Sequence, residues 1–272
     1  MLRLKSKHRL LCGDSTDKAD VDKLMDGNRA VFCFTSPPYS DQRDYRGELK
    51  LDPSHLAKFL NAPCDLFAVN LGMKRKDHEV VTYWDEYIEI AKDYGHKLLS
   101  WNIWSREDCG YTVGQISAMF AIDHEWIFVF GKHKKINLTV PNKDAGDFKD
   151  YCANRQKSGK TTKSKSVTTK NKRQLGTVLR VNTQLARNND FDHPAMFPVE
   201  LPEKYIEACS NEKDIVFEPF LGSGSTLIAC EKTGRQCFGS EIDPHYCSVI
   251  LKRYQDYTGK EVIKWQTAEG QN

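Results

Sequence analysis

Two short stretches of this chain hold residue types in an order suited to chemistry. In Phe32-Cys33-Phe34-Thr35-Ser36-Pro37-Pro38-Tyr39 an apolar run ends in a hydroxyl, two prolines and a phenol ring. Consecutive prolines fix the backbone and carry no N–H, so the local carbonyls point outward as acceptors beside the Ser36 hydroxyl. An exocyclic amine of a nucleobase suits such a place: acceptors orient the NH2 group and draw out its proton, while a ring stacks on the base plane. In a duplex that amine lies inside Watson–Crick pairing, so the nucleotide would have to be flipped out to reach the loop. A rigid turn that closes a strand is the alternative for Ser-Pro-Pro alone. The preceding strand and Tyr39 weigh against it.

The second stretch is Val216-Phe217-Glu218-Pro219-Phe220-Leu221-Gly222-Ser223-Gly224-Ser225-Thr226, an apolar strand that ends in an acid and a Gly-rich turn before a helix. Gly222 and Gly224 let the backbone approach a ligand closely, and the helix presents unpaired N–H groups to a carboxylate or phosphate. No Lys-Ser/Thr pair stands where a phosphate-binding P-loop needs it, and no third glycine completes a dinucleotide fingerprint. What remains is a turn for a nucleoside without a phosphate chain. About one βα unit downstream, Gly239-Ser240-Glu241-Ile242-Asp243 ends a strand, where an acid can take both hydroxyls of a ribose. Taken alone, Glu241 would read equally well as a surface carboxylate at a strand end.

Both stretches need strands that deliver them to one edge of a sheet. Buried strands are predicted at 9–13, 30–35, 65–70 and 97–104, with helices at 52–61 and 80–94 between them. The second helix would place Val80, Trp84, Tyr87, Ile88 and Ala91 on one face. At 124–131, Trp126, Phe128 and Phe130 alternate with Ile127 and Val129, so both faces of that strand should be covered. After Pro202 come a helix at 205–209, a strand at 214–219, a helix following Gly224, a strand at 236–242 and a last helix at 245–257. This alternation implies an α/β fold with a mostly parallel sheet and helices on both faces. Between the two α/β segments, 156–173 carries Lys157, Lys160, Lys163, Lys165, Lys170, Lys172 and Arg173, many Ser and Thr, and no acid. Such a stretch contributes almost nothing to a core.

A chain of 272 residues suits one large α/β domain with an insert. No apolar run approaches the roughly eighteen residues of a membrane span. The N-terminal stretch mixes Arg3, Lys5, Lys7 and Arg9 with single leucines and lacks the apolar core of a secretory signal, so the expectation is a soluble cytoplasmic protein with no membrane partner. None of the nine cysteines forms a Cys-x-x-Cys pair, which points to reduced core thiols and to no disulfide framework or metal site. Net charge is only +3, so the partner is decided by where the charge lies.

Thr-Ser-Pro-Pro-Tyr at 35–39 and Phe-x-Gly-Ser-Gly-Ser-Thr at 220–226 together resemble the amino-directed DNA methyltransferases, which make N4-methylcytosine or N6-methyladenine. The catalytic motif precedes the cofactor motif here, as in the circularly permuted beta group of that family. The resemblance covers most of the chain outside the basic insert. It implies a Rossmann-like methyltransferase fold, S-adenosylmethionine as cofactor and double-stranded DNA as partner. It further implies a catalytic half at 1–131, a basic target-recognition insert at 132–190 and a cofactor half at 191–272. Ser36, Pro37, Pro38 and Tyr39 would be catalytic. Asp14, in Cys12-Gly13-Asp14-Ser15, would accept from the cofactor's adenine amine, and His193, Pro194 and Phe197 would pack over its methionine part. Glu218 and the turn Pro219, Phe220, Gly222, Ser223, Gly224, Ser225 and Thr226 match the methionine-binding motif, Glu241 matches the ribose acid, and Asp243 would join the cofactor site. The family's strand ends in Asp-Pro-Phe; the longer Glu218 keeps the charge but reaches farther.

Phosphate contacts would fall to Lys157, Lys160, Lys163, Lys165, Lys170, Lys172, Arg173 and Arg180, with base reading from the flank at Arg180, Asn182, Gln184 and Arg187. Direct in-line transfer from the sulfonium methyl to the amine nitrogen needs no covalent intermediate. Cytosine C5 methylation would need a thiolate after a proline; Pro63-Cys64 exists, but it precedes a strand and leaves Ser-Pro-Pro-Tyr unexplained. Within the resembled family, Ser at the first catalytic position is commoner among cytosine-N4 enzymes and Asp among adenine-N6 enzymes, which favours cytosine. Adenine N6, or an RNA or protein amide substrate, is the alternative. A cognate restriction endonuclease and a monomeric or homodimeric state are both left open.

Overall fold

A computed structural model describes residues 2–4, 7–38, 52–106, 120, 122–132, 139–141, 148–149, 154–155, 158–162, 167–168, 170–182, 197–260 and 262–264. Ten strands form the main sheet: β1 (Leu2–Leu4), β2 (Arg9–Cys12), β3 (Phe32–Thr35), β4 (Leu66–Leu71), β5 (Lys97–Ser105), β6 (His124–Gly131), β7 (Val178–Arg180), β8 (Ile215–Glu218), β9 (Gln236–Glu241) and β10 (Val262–Lys264). Their spatial order is β7-β5-β6-β4-β3-β8-β9-β2-β1-β10. All run parallel except β1 and β6, each antiparallel to both its neighbours.

The central strands β3 and β4 are buried at every residue, which is why they read as unbroken apolar runs. Helices α1 (Lys18–Met25), α2 (Pro53–Leu56) and α3 (Trp84–Asp93) cover one face, where Leu24, Leu56 and Trp84 join Phe67, Phe128 and Phe217. Helices α4 (Glu200–Cys209), α5 (Ser225–Thr233) and α6 (Pro244–Thr258) cover the other, where Ile206, Ile228 and Ile250 join Phe34, Ala68 and Ile127. Asp17, Asp52 and Asp243 cap α1, α2 and α6 by accepting from the N–H groups of Ala19, Ser54 and His245.

The chain leaves β3 toward β4 on one side, whereas it leaves β8 through α5 toward β9 on the other. The crossovers therefore diverge between β3 and β8, and a crevice opens at their C-terminal ends, where open α/β sheets bind ligands. Strands from both α/β segments build this one sheet.

Three expectations shift. The helix predicted at 80–94 begins only at Trp84; Val80 sits instead in a hairpin of Lys74–Lys76 with Glu79–Val81, turned by Asp77 and His78 at φ 49° and 68°, and is 38% exposed. The Tyr83 hydroxyl donates to Gly72 O at 2.7 Å and ties the hairpin base to the helix start, so tertiary contact overrides the apolar spacing. The stretch 52–61 divides into α2 and a 3-10 turn, Ala57–Asn61, that tucks Phe59 and Leu60 into the core. Helix α4 starts at Glu200, because Pro202 lies in a first turn whose N–H groups lack helical partners anyway. Val178–Arg180 pairs with the C-terminal end of β5, and Trp104 Nε1 donates to Val181 O at 2.9 Å. Among the described residues no helix is long and apolar enough to cross a membrane.

Candidate active site

The register between β3 and β8 pairs Phe32 with Val216 and Cys33 with Phe217, so the two motifs leave the sheet side by side. Ser36 and Pro38 are half-buried and Pro37 is buried at the mouth of the crevice. Tyr39, His193, Pro194, Lys157, Lys163, Lys165, Gln184 and Arg187 lie outside the described residues.

Glu218 is fully buried and folds back on its own turn: its carboxylate accepts from Phe220 N–H at 3.1 Å and from Thr226 Oγ1 at 2.8 Å. Burial pushes its carboxyl up to about 8, against the opposing pull of those donors and of the neighbouring Thr35 hydroxyl, with the Glu241 charge adding to the rise. Burial thus favours the neutral form of Glu218, whose carboxyl is engaged in shaping the turn. Gly222 and Gly224 take φ 55° and 85°, conformations open to glycine and costly for other residues. At the adjacent Gly239 a Cβ would meet Leu221 Cδ2 at 2.9 Å, so a side chain there would require Leu221 to move.

Glu241 ends the next strand with its carboxylate bridged between two backbone donors, Gly222 N–H at 2.8 Å and Asp243 N–H at 3.0 Å. Burial raises its pKa, with those donors opposing. Asp243 itself caps α6 by accepting from His245 N–H at 2.7 Å. One strand over, the Gly13 N–H donates to Glu241 O at 3.0 Å, which brings Asp14 beside the end of that strand. Asp14 Oδ1 accepts from the Thr16 N–H at 2.8 Å and hydroxyl at 2.7 Å, and the Thr16 oxygen meets His55 Nε2 at 2.9 Å.

Sequence reasoning missed Arg253. From inside α6 its buried Nη1 donates to Ser223 O and Oγ, both at 3.0 Å, and to Ser225 Oγ at 3.2 Å, pinning the Gly-rich turn from below. Ser225 Oγ in turn donates to Phe197 O at 2.9 Å, and Phe197 packs edge-on against Phe34. The available signal was an arginine on the apolar stripe of Cys247, Ile250 and Tyr254. The described cations Lys160, Lys170, Lys172, Arg173 and Arg180 are all exposed, Lys172 and Arg173 on a short strand paired antiparallel with Thr139–Pro141. Cys64 stands at the start of β4, away from the crevice, and burial pushes its thiol up to about 12, which removes it as a nucleophile.

The glycine cradle, the two buried acids beside it and the uncapped start of α5 fit a nucleoside carrying an amino-acid tail. Sheet order and crevice together define a Rossmann-like α/β fold of the kind methyltransferases use. The chain belongs to the DNA methylase family, in its N6/N4 amino-directed branch, whose profile matches residues 31–252. Orphan methyltransferase M.BamHII of Bacillus amyloliquefaciens is 28% identical over 83% of this chain and 89% of that protein. Type II methyltransferase M.HpaI of Haemophilus parainfluenzae is 26% identical over 90% of this chain and 73% of that protein. Among solved structures, the cytosine-N4-specific PvuII DNA methyltransferase shares the fold with a TM-score of 0.62 at 17% identity, covering 94% of this chain and 89% of that one. A putative DNA modification methylase of Thermus thermophilus, TTHA0409, complexed with S-adenosyl-L-methionine, does so at 0.57 and 19% identity, covering 96% of this chain and 100% of that one. The protein is thus an S-adenosylmethionine-dependent DNA methyltransferase acting on a base amine, cytosine N4 or adenine N6.

Proposed function

We propose that the protein methylates N4 of a flipped-out cytosine within a specific DNA sequence. The observation that carries this is the adjacency of β3 and β8, which sets the Ser36-Pro37 acceptors one strand away from the glycine cradle. A neutral hydroxyl at Ser36, rather than a carboxylate, supports cytosine, and the shared fold of a cytosine-N4-specific enzyme agrees.

In this reading Asp14 accepts from the adenine amine of the cofactor, Glu241 holds the ribose with Asp243 behind it, and the turn from Glu218 to Thr226 cradles the amino-acid part. His193, Pro194 and Phe197 pack above that part, and Tyr39 stacks on the target base. S-adenosylmethionine supplies an electrophilic methyl on a sulfonium. The target nitrogen would give its lone pair to the new N–C bond as the methyl–sulfur bond breaks with its electron pair to sulfur, leaving a neutral thioether, and the nitrogen would shed one proton to solvent. Its lone pair is delocalised into the ring, so Ser36 and the Pro37 carbonyl lower the barrier by favouring a pyramidal nitrogen as positive charge develops.

Residues 1–131 and 191–272 form the permuted catalytic and cofactor halves. The insert 132–190 binds DNA phosphates through Lys157, Lys160, Lys163, Lys165, Lys170, Lys172, Arg173 and Arg180. Nucleoside mass spectrometry of DNA from cells expressing the protein, beside a Ser36→Ala/Tyr39→Ala control, tests the reading. N4-methylcytosine that disappears in the control is expected. N6-methyladenine would keep the mechanism and overturn the base; neither product, from a folded and cofactor-binding protein, would move the substrate to RNA or protein.

A further inference from the structure

Beyond Ser36 the C-terminal edge of the sheet carries a row of polar side chains that the mechanism above leaves unused. Phe34, Ala68, Ile127 and Trp104, on the adjacent strands β3, β4, β6 and β5, belong to one apolar cluster on one face of the sheet. Two residues nearer the crevice on each strand stand Ser36, Asn70, Glu125 and Arg106. Alternate residues of a strand share a face, so Asn70 and Glu125 continue that face in polar form, and Ser36 and Arg106 are the first residues past the ends of β3 and β5.

The row is bonded together. Asn70, only 1% exposed, donates Nδ2 to Glu125 Oε2 at 2.6 Å. Glu125 Oε1 pairs with Arg106 Nη1 at 3.3 Å, and Arg106 Nη2 donates to Ile122 O at 3.0 Å. Thr35 pairs with Val69, which places Asn70 level with Ser36 on the neighbouring strand.

Stability does not account for this arrangement. A part-buried ion pair holding a buried amide contributes little that apolar residues of the same size would not match. What the ion pair does achieve is orientation. A carboxylate only accepts, so Glu125 fixes Nδ2 on its own side and turns the Asn70 carbonyl oxygen away from β6. We propose that Asn70 Oδ1 joins the Ser36-Pro37 acceptors in orienting the target amine, with Glu125 and Arg106 as positioning residues that hold the amide in that sense. This rests on the base-amine reading above.

The test compares Asn70→Ala, Glu125→Gln and Arg106→Lys with the parent enzyme. Single-turnover methylation, DNA affinity, S-adenosylmethionine affinity and melting temperature are measured for each. Glu125→Gln lets the amide turn either way, and Arg106→Lys keeps the charge but loses the fork. The expected result is a fall in the methylation rate of about 10- to 100-fold for Glu125→Gln and at least that for Asn70→Ala, with cofactor affinity within about two-fold of the parent. Arg106→Lys should fall between them and the parent, and gives the same comparison should either of the others unfold. A purely structural network would lower melting temperature and leave the rate per folded molecule unchanged. That result, in a parent that methylates DNA, overturns the proposal and spares the function; a parent that methylates no DNA removes both.

Discussion

Replacing Glu218 by Gln should make the protein more stable at alkaline pH. The Glu218 carboxyl is fully buried and moved from 4.5 to about 8, chiefly by desolvation. An acid whose folded pKa is raised keeps its proton in the folded state while the unfolded chain releases it. Stability therefore declines as pH rises from about 4.5 to about 8, by at most about 1.4 kcal/mol per pH unit. Integrated to neutral pH the decline is on the order of 3 kcal/mol, which for a chain of this size corresponds to roughly 6–12 °C in melting temperature. Gln fills the same space without the charge. Its oxygen still accepts from the Phe220 N–H, and the Thr226 hydroxyl can rotate to accept from the new amide. Thermal melts of parent and variant at pH 5.5 and 8 read the effect: the variant should lie a few degrees higher at pH 5.5 and the gap should widen about three-fold by pH 8. Parallel pH profiles, or a variant less stable at pH 8, would refute a neutral Glu218 and restore an ionised carboxylate as the group facing the cofactor.

Arg253→Met keeps the stem but removes the donor to Ser223 and Ser225; a loss of about 1.5–3 kcal/mol in stability and weaker S-adenosylmethionine binding with unchanged DNA affinity are expected by calorimetry and fluorescence anisotropy. Gly224→Ala forces an L residue to φ 85° and sets its Cβ 3.3 Å from Ile250 Cγ2, so denaturant unfolding should show a loss of about 1–2 kcal/mol and titration a weaker cofactor complex. Glu231 is held at about 2, first by its hydrogen bond to His8 and then by Lys260. A lowered acid contributes stability above its unfolded pKa that is lost as pH falls, so acid unfolding of the parent should steepen between about 4.5 and about 2 and that component should vanish in Glu231→Gln.

Much of the site was legible from residue order alone. Pro-Pro after an apolar strand and Gly-x-Gly before a helix are local conformational statements: the backbone restrictions of Pro37, Pro38, Gly222 and Gly224 hold wherever the chain places them. The buried strands were equally legible, because a central parallel strand covered on both faces needs a continuous apolar run. The helix expected at 80–94 was not, since the same spacing serves a hairpin followed by a shorter helix, and only the Tyr83 contact with Gly72 distinguishes them. Adjacency across the sheet was beyond the sequence as well. The pairing of β3 with β8 brings the acceptor loop to the glycine cradle, and the row from Ser36 through Asn70 and Glu125 to Arg106 assembles four distant segments. The ionisation of Glu218 belongs with these. Its residue type was visible, but its charge depends on burial and on the Thr226 and Phe220 donors, which exist only once the turn has closed over it.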